Sequence, residues 1–317
     1  MRRILGGGLC LVLAAGCYRE SAPTIENARD PLLQRSPESC GVNDDLRHPP
    51  FEPTPDGRLR THTSGSLAGA NSRDWAGPPV PSYVPKRIGT LELFILDPAD
   101  RGHLAFYRDP YDVGSCGLRG DMGTNCAYEA RHYTDAGKLA WSLPLDSVMS
   151  RPDRLEIQDI RYTDGVLYFN EACQSYAAEA NNRCSALIAV NPRTREVLWR
   201  TVPLVSNGRF VVRACYIVAG YGFTAEPDWM FLVDRATGAV KQKIWVSSAP
   251  EQYSFAGRNE LHVTLYGGGT RRYALEGFDT DAARLRDLDP AEVGGATYGG
   301  AGYGGMGYGG MGYGGRR

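Results

Sequence analysis

The sequence predicts an all-β fold, on three observations. Cys184 to Trp199, CSALIAVNPRTREVLW, reads as a buried strand, a tight turn and a strand carrying a tryptophan. Cys126 to Trp141, CAYEARHYTDAGKLAW, repeats the layout with the same step from cysteine to tryptophan, and Trp229 to Lys243 is a weaker third copy. Turn signals recur as well: Thr163-Asp164-Gly165, Ser206-Asn207-Gly208 and Ala236-Thr237-Gly238 supply residues that tolerate positive φ. The step from Asp164 to Asn207 is 43 residues, as is the step from Asn191 to Asp234. A period of about 40–45 residues with four strands per repeat is that of a β-propeller. The expectation is about four four-stranded blades, open or incomplete as a ring, between a disordered N-terminal tether and a Gly/Tyr-rich tail.

The 317 residues suffice for one large all-β domain with appendages. Basic and acidic residues number 35 and 36, a balance that lacks the basic excess of a nucleic-acid binder. Eleven prolines fall between Ser21 and Lys86, and glycines crowd the other end, so the middle is the folded part.

Taken in order, residues 1–16 read as a signal peptide. Arg2 and Arg3 precede a short apolar run from Ile4 to Gly16, too short to span a bilayer. Leu13-Ala14-Ala15-Gly16-Cys17 resembles the lipobox of bacterial lipoproteins, although that family favours Leu where Ala14 stands. The resemblance implies that Cys17 is acylated and becomes the first mature residue, with enough acyl chains for stable anchoring. Tyr18 follows instead of Asp, which by the enteric sorting rule implies the outer membrane. Residues 17–87 then form a Pro-rich tether, whose coil span of about 40 Å lifts the domain off the headgroups. Part of it, around Cys40 or Trp75, is an alternative candidate for packing on the domain.

Residues 88–278 form the expected propeller-like domain. The first blade uses Leu91–Leu96, His103–Arg108, Tyr128–Tyr133 and Lys138–Leu143. The second uses Leu155–Arg161, Val166–Glu171, Ala186–Val190 and Glu196–Val202. The third uses Phe210–Arg213, Tyr216–Gly220, Trp229–Val233 and Ala239–Val246. The fourth uses Gln252–Ala256, Leu261–Tyr266 and Arg272–Leu275, its last strand missing or irregular. Ala186–Val190 is apolar on both faces, as suits a strand between packed blades, whereas Glu196–Val202 alternates like an outer strand. Trp141 and Trp199 each bury on the order of 150–250 Å², and their expected role is to wedge blade against blade.

These residues resemble the repeats of pyrroloquinoline-quinone-type propellers, whose blades end in a pattern like Ala-x-Asp-x-x-Thr-Gly-x-x-x-Trp. Ala189 through Trp199 is one such end, with Asn191 for Asp and Arg195 for Gly. Tyr133 to Trp141 keeps Gly137 and the tryptophan; Asp234, Thr237 and Gly238 keep the turn but place Gln242 where the tryptophan should stand. The chain is similar also to propeller lipoproteins of the outer-membrane protein assembly machinery, which bind no quinone. Such propellers close with seven or eight blades, more than this chain supplies.

Outside Cys10 and Cys17 six cysteines remain, and an even count in an exported chain points to disulfides. Cys116 and Cys126 bracket the same hairpin in the first blade that Cys173 and Cys184 bracket in the second, so these two pairs are expected. Cys40–Cys215 follows by elimination. Their spacings are far from a zinc motif, and no metal site is expected.

No catalytic constellation emerges, and neither a catalytic residue nor a cofactor site is assigned. His48, His62, His103, His132 and His262 are scattered and form no paired motif. Arg119-Gly120-Asp121 matches a three-residue adhesion tripeptide that recurs by chance. Gly220-Tyr221-Gly222 and Gly267-Gly268-Gly269 open no helix with a lysine and are turns or close backbone approaches, not phosphate loops.

Residues 279–293 read as a charged linker or short surface helix, with Ala282, Leu285 and Leu288 at helical spacing. Residues 294–317 carry Tyr298, Tyr303, Tyr308 and Tyr313 on a glycine-rich repeat with Met306 and Met311. Such a tail is expected to be disordered, either passive or weakly adhesive. The resulting expectation is a non-enzymatic, exported, lipid-anchored envelope protein whose propeller docks protein partners and binds no nucleic acid. A glycan- or peptidoglycan-binding module using loop aromatics such as Tyr221 and Phe223 is the alternative. A quinone-dependent oxidoreductase is the third reading.

Overall fold

The computed structural model describes residues 80–99, 101–109, 127–151, 155–173, 176–223, 226–278 and 280–289. They form four consecutive antiparallel sheets. Blade 1 holds β1 (Arg87–Ile88), β2 (Leu91–Ala99), β3 (Gly102–Arg108), β4 (Tyr128–Thr134) and β5 (Leu139–Pro144). Blade 2 holds β6 (Leu155–Glu156), β7 (Ile160–Thr163), β8 (Val166–Cys173), β9 (Ala186–Asn191) and β10 (Glu196–Arg200). Blade 3 holds β11 (Phe210–Arg213), β12 (Tyr216–Tyr221), β13 (Trp229–Asp234) and β14 (Val240–Trp245). Blade 4 holds β15 (Pro250–Phe255), β16 (Glu260–Leu265), β17 (Thr270–Glu276) and β18 (Arg284–Asp287). Within each blade the chain runs as a meander from inner to outer strand, so the all-β propeller-type architecture is the one the repeats predict.

Burial follows position in the stack. Every residue of β8 and of β12 is buried, because each strand is covered by a neighbouring blade on both faces. In β16 burial alternates, with Leu261, Val263 and Leu265 buried toward blade 3 and Glu260, His262 and Thr264 turned away. That outward face of blade 4 carries ion pairs between Arg272 and Asp289, Arg284 and Glu276, and Arg286 and Glu276. A polar outer face is how a stacked-repeat protein ends its core. One apolar cluster joins blades 1, 2 and 3 and a second joins 3 and 4; among the described residues none joins 4 to 1.

At the other end, blade 1 is covered by the chain that precedes it. Val84 is buried against Leu91, Leu93, Leu96 and Tyr107, with Val80, Tyr83 and Ile88 beside them. The Tyr107 hydroxyl donates to the Pro85 carbonyl at 2.8 Å, and Tyr83 pairs with His103 Nδ1 at 2.9 Å. Residues 80–87, expected to be tether, are therefore part of the folded body; Cys40 and Trp75 lie outside the described residues.

The charged linker or short helix expected over 279–293 is corrected, at Arg284–Asp287, to a strand. Leu285 is buried while Arg284 and Arg286 are exposed, a period of two, and β18 completes blade 4 alongside β17. The core thus runs past residue 278, and the fourth blade has its last strand. Pairing with Glu276 and with the edge of β17 decides the conformation, which the helical spacing of Ala282, Leu285 and Leu288 misread.

The three outer hairpins are copies in detail. His132 faces Trp141, Ala189 faces Trp199 and Leu232 faces Gln242 across the ladder. Each hairpin has its register shift at the same place, so that Ala140, Leu198 and Lys241 are the inserted residues of equivalent β-bulges.

Candidate functional site

The turns set the first layer of order. Asn191 Oδ1 accepts from the Arg193 and Thr194 amides at 3.0 and 3.3 Å, and Asp234 Oδ1 accepts from Ala236 and Thr237 at 3.0 and 2.9 Å. Both are side chain-to-backbone turns of the Asx kind. The residue four positions on takes positive φ in each outer hairpin except the last: Gly238 at +72° and Arg195 at +64°, with Gly137 of blade 1 at +74°.

These turns are what the next layer packs on. The Trp199 indole lies over Gly238, where an added Cβ would meet its Cε3 at 2.6 Å, and its Nε1 donates to the Arg235 carbonyl at 3.0 Å. Trp141 instead meets Tyr162 of blade 2 edge-on at 5.0 Å. Gln242, standing where the third tryptophan would be, forms two hydrogen bonds with the backbone of Leu285 in blade 4, at 2.9 and 2.8 Å. Each of the three side chains reaches onto the following blade. Tyr83 plays the same part for blade 1, its ring lying 3.0 Å from the Cβ position of Gly137.

Two clusters that the sequence did not disclose fasten the blades. Arg235 donates from Nε to the Tyr168 hydroxyl (2.9 Å), from Nη1 to the Ala214 carbonyl (3.0 Å) and from Nη2 to Asp164 Oδ2 (2.7 Å). It thereby ties two turns of blades 2 and 3 together. The second cluster lies on the inner strands. Arg161 Nη1 donates to Asp97 Oδ2 of blade 1 and to Asp159 Oδ1, both at 2.7 Å, while Asp159 Oδ2 accepts from the Phe210 amide of blade 3 at 3.0 Å. The inner strand of blade 2 breaks between β6 and β7. Asn170 fills the break, its Oδ1 accepting from the Gln158 and Asp159 amides at 3.0 Å each, its Nδ2 donating to the Gly208 carbonyl. Arg209 of blade 3 interacts electrostatically with Asp97, Asp159 and Glu251 of blade 4.

Burial dominates the titration of this hub. It pushes Asp97 up to about 7 in spite of Arg161, raises Asp159 and Glu156, and lowers Arg209. Asp97 and Asp159 are 1% exposed, so the hub binds strands together and presents no open carboxylate.

The two ends of the blade stack differ. At one end the strands join through tight turns, such as Asp164-Gly165 with φ of +51° and +80° between β7 and β8. At the other end the connections of blades 2 and 3 are longer, and this end holds the exposed aromatic side chains: Tyr176 (40% exposed) on the β8–β9 loop, Trp245 (47%) at the end of β14 and Tyr266 (59%) in the β16–β17 turn. This loop end is continuous across blades 2 to 4. Tyr176 meets Phe223 at 5.5 Å, the Ala177 amide donates to Glu226 at 2.8 Å, Gly222 adjoins Ala249, and the Tyr266 amide donates to the Ala249 carbonyl at 2.8 Å. Trp229 faces Trp245 across β13 and β14, with the Lys243 ammonium 3.9 Å from the Trp229 ring centre. The Cys173–Cys184 disulfide closes the loop that carries Tyr176, with 5.0 Å between its Cα atoms.

Of the loop aromatics expected to be available, Tyr221 is not. It is 3% exposed and its hydroxyl is held by Glu226, because it belongs to β12 and faces the core of blades 2 and 3. Phe223 is half-buried beneath Tyr176. Trp245 and Tyr266 take their place, and neither could be told from a core aromatic by strand pattern alone. Gly220 is a close approach: a Cβ there would meet the Tyr253 hydroxyl at 2.5 Å. His132 sits between blades, 4.8 Å from Tyr162, and His262 pairs with Glu260 at 2.8 Å. Cys215 is disulfide-bonded to a cysteine outside the described residues. Cys17, Cys40, Cys116, Cys126, Arg119-Gly120-Asp121, His48, His62 and the tail tyrosines also lie outside them.

No family model matches the chain, and no curated protein matches it. Among solved structures it is similar to the computationally designed Ika4 protein, at 10% identity over 56% of this chain and 88% of that one, with a TM-score of 0.34. It is similar also to BamB from Moraxella catarrhalis, at 13% identity over 60% of this chain and 68% of that one, with a TM-score of 0.28. The fold is shown by the four meander sheets themselves.

Proposed function

We propose that this chain is a non-catalytic envelope scaffold that docks a protein partner on the loop end of its blades. The observation that carries the reading is the asymmetry of the two ends. One is closed mostly by short turns, while the other gathers exposed Tyr176, Trp245 and Tyr266, the first on a loop closed by a disulfide. Aromatic side chains of this kind anchor protein interfaces, since they bury much area at small cost in rotamer entropy. The disulfides at Cys173–Cys184 and Cys215 support an oxidising, exported location. Acylation of Cys17 and an outer-membrane address belong to the same proposal and rest on the lipobox resemblance.

The test is capture from cross-linked envelopes by the full chain, compared with Trp245→Ala and Tyr266→Ala on the loop end and Arg193→Ala on the turn end. Loss of one partner with the first two only is expected; equal capture by all three would overturn the docking face. Cys17→Ser should move the protein from the membrane to the soluble fraction. Exposed Trp245 and Tyr266 also suit stacking on sugar rings, and muropeptides that bind the wild type but not Trp245→Ala would favour that second reading.

A further inference from the structure

We infer that the loop end is also the docking surface for the chain's own C-terminal segment, residues 294–317. Three observations point there. The first is where the chain leaves the fold. Strand β18 runs from the turn end to the loop end, since it is antiparallel to β17, which starts at the loop after Leu265. The last described residue, Asp289, is held by Arg272 near the β17 end of that loop, so the described chain ends toward the loop end and not on the opposite one. β18 also packs against β14, the strand that ends in Trp245.

The second is reach. Residues 290–317 follow Asp289, and a glycine-rich coil of that length spans about 30 Å r.m.s. at about 5–6 Å per root residue. Sheets packed face to face lie about 10 Å apart, so a segment of that length can pass from blade 4 onto the neighbouring loops of blade 3.

The third is chemistry. The segment offers Tyr298, Tyr303, Tyr308 and Tyr313 at five-residue steps and ends in Arg316-Arg317. The loops it would cross present exposed aromatic rings. Rings stack on rings, and the terminal guanidinium groups can lie over them as well. Tethering raises the effective concentration to about mM, so contacts too weak to bind in trans still hold the segment in place. The regulatory consequence, that a partner must displace the segment, rests on the docking-scaffold reading; the contact itself does not.

The test uses the full chain with Tyr298, Tyr303, Tyr308 and Tyr313 all replaced by Ser. Acrylamide quenching is assigned to Trp245 by difference from the Trp245→Phe background. The Ser variant is expected to raise the quenching constant about twofold, as for a contact of mM strength at mM effective concentration. Replacement of the four by Phe is expected to leave it unchanged, and dilution from micromolar to nanomolar protein should not alter the contrast. Equal quenching in wild type and Ser variant would overturn the inference. So would a contrast that disappears on dilution, which would assign the surface to a second copy. Neither result bears on envelope capture, so the two readings fail separately.

Discussion

Arg195 occupies a backbone position that its neighbours in the other blades give to glycine. Its φ of +64° matches +74° at Gly137 and +72° at Gly238, and a side chain there carries steric strain of about 1 kcal/mol. Arg195→Gly is therefore expected to stabilise the fold by about 0.5–1 kcal/mol, read as a rise in chemical-denaturation midpoint. Gly238→Ala should do the opposite and by more. It adds the same strain and drives a methyl into Trp199, for a loss of about 2–3 kcal/mol. Asp97 makes a prediction about pH. Burial lifts its folded pKa to about 7, well above the ordinary carboxylate range, so the folded state holds that proton where the unfolded chain has released it. The contribution is fully present below about pH 4 and is lost as pH rises to about 7. Asp97→Asn should flatten the fall in melting temperature between pH 4 and 8; an unchanged slope would place the pH dependence elsewhere.

At the scale of elements, the outer strands act as clasps between blades. Trp199 is 5% exposed and its removal should cost about 3–5 kcal/mol, since both the indole volume and the bond to the Arg235 carbonyl go. Gln242→Ala, which loses only two hydrogen bonds at a half-buried site, should cost about 1–2 kcal/mol. Equal losses would show that the buried indole adds nothing beyond its hydrogen bond. The Cys173–Cys184 bond closes a loop of 11 residues and should contribute about 2–3 kcal/mol, measured as the shift in denaturation midpoint of a double Ser variant. Most strands could be read from the sequence, because alternation and turn residues are local. β18 could not: Arg284, Leu285 and Arg286 alternate over too few residues to outweigh an apparent helical spacing, and its partner strand supplies the decision.

At the scale of the whole molecule, the stack is terminated differently at its two faces. Residues 80–86 cover the outer face of blade 1 with apolar side chains, whereas blade 4 closes with ion pairs on a polar face. Exposed pairs of that kind add little stability, but they keep the last sheet from recruiting another. Val84→Asp, placed at 3% exposure in the apolar contact on blade 1, should lower stability by about 3 kcal/mol. Glu276→Gln on the far face should change it by under about 1 kcal/mol. A comparable loss from both would show that blade 4 depends on its outer face as blade 1 depends on its cover.

What the sequence determined by itself is the module. The 43-residue step, the Asx turns at Asn191 and Asp234 and the positions of Trp141 and Trp199 are properties of short stretches. What the tertiary structure decided is how modules meet. Arg161 reaches Asp97 across 64 residues, Arg235 reaches Tyr168 across 67, and the burial of Tyr221 beside the exposure of Tyr266 depends on which blade covers each. Such contacts join segments with no shared local pattern, so only the packing of one sheet on the next selects them.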